Sequence, residues 1–439
     1  MRPVRTAGQD FFPLDEELAL LPGVLTPSLQ ETVVRLGARM PFREVVQELT
    51  FLKQVTTTEA TVRRHTETAG AAYVAVQTEE VEQVEHTLPA VPEGAKRQLL
   101  STDGAMVPLV HGEWAEVKTI ALGAIQPPVI ENGAAVVHTT ELSYFSRLAE
   151  ADTFTRLATV ETQRRGTERA ETVCAVNDGA EWIQGFIDVQ RHDAVRILDF
   201  SHAAGYVAQV GQAVLGEGTA EFKTWLATTL HQLKHDSADP VVQTLRDMQR
   251  ELEGGAASPE TLDAVRAAVQ YLNKRRPQMD YARFQAAGYP IGSGSVESGN
   301  KVVVEARMKG AGMHWARPHV DPLVALRDVL CSDRWAQDWP LIAMRLRADH
   351  LKARQQRQRT RWTQRRAVAT ASSNILSLSP AHPEPSNSQP VKVATVNRNA
   401  SSTQQAKQPY RPPANHPWRH SPIGRARFRS SQRSVNPKV

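Results

Sequence analysis

The stretch from Gly292 to Met308 is the part of the chain in which residue types and spacing most clearly permit chemistry. It begins Gly-Ser-Gly-Ser-Val-Glu-Ser-Gly-Asn, and Ser295 is predicted to cap a helix that starts at Val296. Small and apolar residues then recur at steps of three and four, at Val296, Gly299, Val303, Ala306 and Gly310. Such a stripe predicts a helix that lies close against a sheet. The β-branched run 302–304 favours a strand instead, but the length and the spacing favour a helix.

Glu297 lies at the first turn of this predicted helix, beside its packed face. A carboxylate is the oxygen ligand that hard divalent cations prefer in proteins. For a single glutamate taken alone, a helix cap or a solvated side chain is the simpler interpretation. A metal site would therefore need further carboxylates elsewhere in the chain.

Further carboxylates lie within or directly after the predicted strands. Strands are predicted at Leu99–Leu109, Glu113–Ile125, Ala134–Thr140, Glu171–Gly179 and Val195–Phe200, with a helix from Tyr144 to Arg165. Asp103 lies inside the first strand, and Asp178 and Asp199 lie at the ends of the fourth and fifth. Because sites in α/β proteins gather at the carboxyl ends of parallel strands, we expect an α/β fold with acidic residues at one sheet edge.

The run from Tyr289 to Trp315 resembles bacterial insertion-sequence DDE transposases of the ISKra-type group. In that group a Gly-Ser-Gly-x-Val-Glu-Ser run supplies the last metal-binding carboxylate, which corresponds to Glu297 here. The segments 11–18, 412–419 and 423–427 also resemble that group, and Asp199-x-x-His202 is similar to a signature of mutator-like and hAT-type transposases. The resemblance implies an RNase H-like catalytic core built on a mixed five-stranded sheet.

On this resemblance the catalytic, metal-binding residues are Asp103, Asp178 and Glu297, with Asp199 and His202 as a supporting pair. Asp199 remains the alternative second ligand, because counting strands from one sequence is fallible. The expected cofactor is a pair of Mg²⁺ ions, about 3.5–4 Å apart, with Mn²⁺ as a substitute. Asp103, on the central strand, is expected to bridge both ions.

Residues 40–74 are predicted to form a helix-turn-helix, with Thr56 as the cap of the second helix and Glu59 three residues later. This second helix is expected to end near Gly70 and to present Arg63 and Arg64 to DNA. Ordinary helical hairpins give the same pattern, so the DNA-binding interpretation depends on the resemblance.

Apolar residues at helical spacing between 205 and 286 predict an all-helical insertion. His231 and His235 within it are expected to be solvated rather than to bind metal. The expected layout is an N-terminal helical DNA-binding region (1–95), the RNase H-like core in two parts (96–204 and 287–350) around the insertion, and a basic, largely disordered tail (351–439).

The charge of the chain is divided unevenly. Of its 439 residues, those from Leu351 to Val439 contain seventeen Lys and Arg and a single acid, although the net charge of the whole is only +5. This basic tail indicates a polyanionic partner, and the residues expected to contact DNA there are Arg354, Arg357, Arg359, Arg361, Arg365 and Arg366. A solubilising tail is the competing interpretation.

Cys174 and Cys331 are too few for a disulfide framework or a zinc site, which suits a reducing compartment. No apolar run approaches the roughly 18 residues of a membrane helix, so no membrane partner is expected. With the resemblance, these features predict a cytoplasmic, nucleoid-associated bacterial protein that binds the terminal inverted repeats of its element and target DNA, as a homodimer or larger assembly.

Three functions are compatible with the sequence. The first is an active DDE transposase that cleaves DNA strands and transfers them to a target. The second is a Mg²⁺-dependent RNase H-like nuclease or resolvase, which would share the carboxylates but not the helix-turn-helix and the insertion. The third is a truncated, inactive DNA-binding remnant, favoured by the lack of the Cys-rich segment that precedes residues 11–18 in the group.

Overall fold

The structure is a computed structural model that describes residues 4–6, 9–11, 20–21, 23–131, 134–255 and 257–376. Within these ranges, the side chains of 4–6, 9–11, 134 and 365–376 are not described. The chain divides into two compact units, residues 1–368 and residues 369–439. No helix in the described ranges is both long and apolar enough to cross a membrane.

The centre of the larger unit is a mixed five-stranded sheet, as the sequence predicts. Its strands are β1 (Arg97–Pro108), β2 (Trp114–Ile125), β3 (Thr139–Arg147), β4 (Thr172–Asn177) and β5 (Val195–Leu198). Their order in the sheet is β3-β2-β1-β4-β5. β1, β2 and β3 pair antiparallel, whereas β4 pairs parallel to both β1 and β5. β1 is therefore the central strand.

The predicted third strand is misplaced, and so is the start of the helix after it. The strand was expected at Ala134–Thr140 and the helix from Tyr144; the sheet strand is Thr139–Arg147 and the helix begins at Ala151. Residues 134–136 instead pair with 129–131 in a short hairpin outside the sheet. Tyr144 and Phe145 belong to opposite faces of β3, because successive side chains of a strand alternate.

The N-terminal region contributes three helices: α1 (Pro27–Arg39), α2 (Phe42–Lys53) and α3 (Glu59–Thr87). The cap of α3 is Thr58, whose hydroxyl accepts from the Thr61 amide at 3.2 Å, so the prediction of Thr56 is wrong. The expected end at Gly70 is also wrong. A Cβ atom at this position would come within 2.0 Å of the Pro322 carbonyl oxygen, so this glycine allows a close helix contact inside α3 rather than ending it.

The remaining helices lie on both sides of the sheet and in one bundle after it. α4 (Ala151–Arg164) and α5 (Glu181–Arg191) flank β4 along the chain. The predicted insertion consists of α6 (Phe200–Leu215), α7 (Ala220–His235), α8 (Ala238–Glu253), α9 (Pro259–Lys274) and the short α10 (Tyr281–Ala286). His231 and His235 are both exposed on α7, in agreement with the expected solvated face.

The chain then returns to the sheet as α11, which joins an α-helical turn (Gly294–Gly299), a π-helical segment (Asn300–Glu305) and a last turn (Ala306–Met308). α12 (Val320–Cys331) follows and packs on α3 and β3. The final helix, α13, runs from Trp335 to Leu376. Residues 351–376 of the predicted disordered tail are therefore helical, and the rest of the tail lies outside the described residues.

Candidate active site at the carboxyl end of the parallel strands

Asp103 lies on β1 just beyond the point at which β1 and β4 stop pairing. The parallel ladder ends at the Leu100–Ala175 pair. Beyond it, the side chain of Asn177 accepts a hydrogen bond from the Thr102 amide, and the Ser101 hydroxyl donates to the Val176 carbonyl. These bonds hold the two strands together up to the residues preceding Asp103 and Asp178.

Asp178 begins the loop between β4 and α5 and is half-buried. Its Oδ1 accepts from the Ala180 amide at 2.9 Å. Gly179 follows in the left-handed region, with φ of 77°, a conformation that other residues adopt only at a cost. The loop therefore turns sharply and leaves the Asp178 carboxylate at the same sheet edge as Asp103.

Glu297 lies in the first turn of α11 and is exposed. The predicted Ser295 cap is wrong, because the helix begins at Gly294 and it is Ser293 whose hydroxyl donates to Glu297 Oε1, at 2.7 Å. The predicted close approach to the sheet is confirmed at Gly299, where a Cβ atom would lie 2.6 Å from the ring of Tyr144 on β3. A larger residue at this position would push α11 away from the sheet.

The carboxyl group of Asp103 is affected by its burial and by the charges of the other two acids. Burial raises the pKa of the Asp103 carboxyl above its usual range, and the negative charges of Asp178 and Glu297 add to the rise. Hydrogen bonds from the Gly104 amide and from Asn300 act in the opposite direction. Each negative charge near Asp103 disfavours its ionisation, and the three acids are separated by up to 194 positions in sequence.

Asn300 is a member of the site that sequence reasoning missed. It is 5% exposed, and its Nδ2 donates to Asp103 Oδ2 at 2.9 Å, whereas its Oδ1 has no protein partner. It follows Glu297 by three residues, a spacing that places two side chains on one helix face. This spacing is the sequence feature that could have identified Asn300 as part of the site. It also opens the π-helical segment of α11, a rare feature that often occurs at functional sites.

Asp199 has a different environment from the other three acids. It is 1% exposed; its Oδ2 accepts from the His202 amide at 2.9 Å, and its Oδ1 accepts from the Ser293 amide at 2.8 Å. It thus caps α6 and anchors the loop that leads into α11. The bond from His202 comes from its backbone, and the imidazole is exposed. Both oxygens of Asp199 are engaged by the protein.

Most of the residues predicted to contact DNA whose side chains are described are exposed. Arg63 and Arg64 are exposed on α3, one turn after its cap. On α13, Arg357, Arg359 and Arg361 are exposed and Arg354 is half-buried; Arg365 and Arg366 lie in the helix, but their side chains are outside the described part.

In the described residues, no three His, Cys, Asp or Glu side chains stand within reach of one common ion. Protein donors hold each of the three carboxylates: Asn300 for Asp103, the Ala180 amide for Asp178, and Ser293 for Glu297. The donor set still fits a hard divalent cation, because it consists of carboxylate oxygens and a free amide oxygen. Burial disfavours the negative charges of these carboxylates, and a bound cation would neutralise them.

No protein-family model matches the chain. No curated protein matches it either.

We expect Asn300→Asp to reduce the activity of this site without unfolding the chain. The change removes the only side-chain donor described at Asp103, so this carboxylate loses its orientation; the added negative charge would by itself favour a cation. Changes beside metal ligands typically cost roughly 10–100-fold in affinity or activity. The measurement is divalent-ion binding to the full chain by calorimetry, together with DNA cleavage. Asn273→Asp on α9 is the matched control, and an equal effect of both variants would contradict a role for Asn300.

Proposed function

We propose that this chain is a DDE transposase with an RNase H-like core, which cleaves DNA strands at element ends and joins them to target DNA. The observation that carries this proposal is the placement of Asp103 and Asp178 just beyond the end of the β1–β4 parallel ladder, with Glu297 three residues before Asn300, which donates to Asp103. The three acids come from the central strand, the end of its parallel neighbour and a helix packed across the sheet. The strand order and directions support an RNase H-like assignment.

The chemistry of this arrangement is phosphodiester cleavage followed by transfer. Asp103, Asp178 and Glu297 would hold two Mg²⁺ ions, which activate the attacking oxygen and stabilise the leaving one. The residues of the chain set the geometry. Asn300 orients Asp103, Ser293 orients Glu297, and Asn177 fixes the separation of the two strands that carry the aspartates. No covalent enzyme intermediate is required.

The assignment of Asp178 as the second ligand, rather than Asp199, is supported by their surroundings. Asp178 accepts one backbone bond and influences the pKa of Asp103. Asp199 uses both oxygens on backbone amides and is almost completely buried. A carboxylate held in this way suits a bracing role, which joins β5, α6 and the loop before Glu297.

Two parts of the chain are proposed to bind DNA. The α2–α3 pair has a short connection and an exposed pair of arginines at the start of its second helix, as a helix-turn-helix requires. The basic part of α13 would contact phosphates without regard to sequence. An assembly of two or more copies on DNA remains part of the proposal, because an element has two ends.

The proposal is tested with duplexes that carry the DNA flanking this gene. Incubation with Mg²⁺ or Mn²⁺ should produce nicks or breaks at the ends of the inverted repeats, and joined products with a target plasmid. Cleavage at unrelated sequences without joined products would indicate the nuclease or resolvase function instead. Specific binding without cleavage would indicate an inactive remnant.

We expect Arg63→Ala combined with Arg64→Ala to reduce the discrimination between element ends and random DNA. A good base contact contributes roughly 1–3 kcal/mol of discrimination, so the affinity ratio should fall about tenfold or more. The measurement is the dissociation constant for both duplexes at fixed salt. Arg250→Ala on α8 is the control. Equal loss on both duplexes would mean that these arginines contact phosphates and that recognition lies elsewhere.

A further inference from the structure

Helix α9 of the insertion contacts the backbone on which Asp178 is carried. The Tyr271 hydroxyl donates to the carbonyl oxygen of Asp178. One turn later, Arg275 Nε donates to the carbonyl oxygen of Gly179 at 2.6 Å, and its Nη2 donates to the same atom. Two consecutive carbonyls of the β4–α5 loop are therefore held by one side chain in the last turn of α9 and one from the residue that directly follows this helix.

These two side chains are themselves held in place. Arg275 is 4% exposed, its guanidinium lies 3.9 Å from the centre of the Tyr271 ring, and its Nη2 also bonds Glu181 at 2.9 Å. The Tyr271 ring stacks on Tyr206 of α6, with centroids 4.3 Å apart. A planar guanidinium fixed by stacking loses little further freedom when it bonds the loop.

The conformation of the loop at Gly179 leaves room for Arg275 and Tyr271. A Cβ atom on Gly179 would lie 2.5 Å from Arg275 Nε and 2.7 Å from the Tyr271 hydroxyl oxygen. The positive φ of Gly179 and the absence of its side chain are thus both needed for the arginine to reach the carbonyl. Burying the Arg275 guanidinium costs free energy unless an acid is buried beside it. Its acidic partner, Glu181, is largely exposed. The carbonyl bonds offset part of that cost.

We infer that Tyr271 and Arg275 are positioning residues that set the Asp178 carboxylate for strand cleavage. The helical insertion is then a structural part of the site, and not only a spacer between β5 and α11. This inference rests on the proposed function, since it assigns a role within the same carboxylate site. Neither residue needs to touch DNA or metal for this role.

The test uses the full chain with Tyr271→Phe and Arg275→Met. The controls are Tyr206→Phe, which also removes one tyrosine hydroxyl, and Arg266→Met, which changes an exposed arginine on the same helix. Hydrogen exchange of a peptide covering 172–182 reports on the loop, and peptides from β2 report on global unfolding. Cleavage is measured at saturating DNA over a range of Mg²⁺ concentrations.

We expect the loop peptide to exchange about tenfold faster or more in both variants, the size of effect when a hydrogen bond to a strong donor is lost. Cleavage should fall roughly 10–100-fold, and half-maximal cleavage should need more Mg²⁺. A purely structural role would not shift the Mg²⁺ requirement. The β2 peptides and both controls should match the wild type.

Unchanged exchange in both variants would overturn the inference. Faster exchange of the loop peptide together with normal cleavage would also overturn it, provided that the Asp103→Asn variant is inactive in the same assay. A wild-type chain that cleaves no DNA would instead overturn the proposed function, and the exchange data would still decide whether the two residues hold the loop. The two failures are therefore distinguishable.

Discussion

Asp103→Asn, Asp178→Asn and Glu297→Gln should each abolish Mg²⁺-dependent DNA cleavage and leave the binding of element ends near normal. Each substitution keeps an acceptor for the donor that holds the native carboxylate, namely Asn300, the Ala180 amide or Ser293. Each removes the charge that would attract the metal ions. The cleavage rate should fall by more than the roughly 100-fold that is the largest typical effect of mutating a residue beside a metal ligand. Cleavage rates and end-binding affinities measured together check this result.

Asp199→Asn is the matched comparison, and it should retain part of the activity. Its cleavage activity should fall by roughly 10–100-fold, because Asp199 holds the loop before α11 through the Ser293 amide and does not contact the reacting atoms. Its melting temperature should also fall, since a buried carboxylate loses one charge-assisted bond. An active Asp178→Asn with an inactive Asp199→Asn would transfer the second-ligand role to Asp199. An active Glu297→Gln would contradict the transposase mechanism.

Arg334→Met should destabilise the folded chain by about 3–5 kcal/mol, because it leaves a buried glutamate without its partner. Arg334 Nη1 donates to Glu161 Oε1 and Nη2 donates to Oε2, both at 2.8 Å, and the Glu161 side chain is fully buried. The bond joins α4 to the start of α13. Replacing both residues, as Glu161→Leu with Arg334→Met, should recover most of the loss, since apolar pairs often replace buried ion pairs without cost. Denaturant unfolding of the full chain measures both.

The Arg156–Glu85 pair provides the control for this experiment. It has the same two-bond geometry, with both distances 2.7 Å, but both side chains are largely exposed. Arg156→Met should therefore leave the unfolding midpoint nearly unchanged, because exposed ion pairs contribute little. A similar loss in Arg156→Met and Arg334→Met would show that burial is not what makes the inner pair important.

The sheet could be predicted from sequence wherever its strands are long or continuously apolar. β1, β2, β4 and β5 lie close to their expected bounds, and the sheet is mixed and five-stranded as expected. The prediction of β3 is wrong because the apolar residues Phe145, Leu148, Phe154 and Leu157 follow a helical spacing and so favour a helix from Tyr144. Only the pairing of β3 with β2 shows that Phe145 belongs to a strand.

Tertiary contacts explain the other errors. Glycine usually marks a helix end, which predicts an end near Gly70, whereas the approach of Pro322 is the reason for a glycine there. The positions of Asp103, Asp178 and Glu297 could be proposed from local patterns and the resemblance. The roles of Asn300, Tyr271 and Arg275 could not, because each depends on a contact between segments more than 90 residues apart.

The contact of Gly70 with Pro322 also has a consequence for the synthesis of the protein. The ribosome must add 252 residues after Gly70 before Pro322 exists. At roughly 5–20 residues per second, this takes roughly 13–50 s. During that interval α3 lacks α12, although α1, α2 and α4, which it also contacts, are all made before it. The final packing of α3 and the completion of the candidate site by Glu297 should therefore both come late in translation.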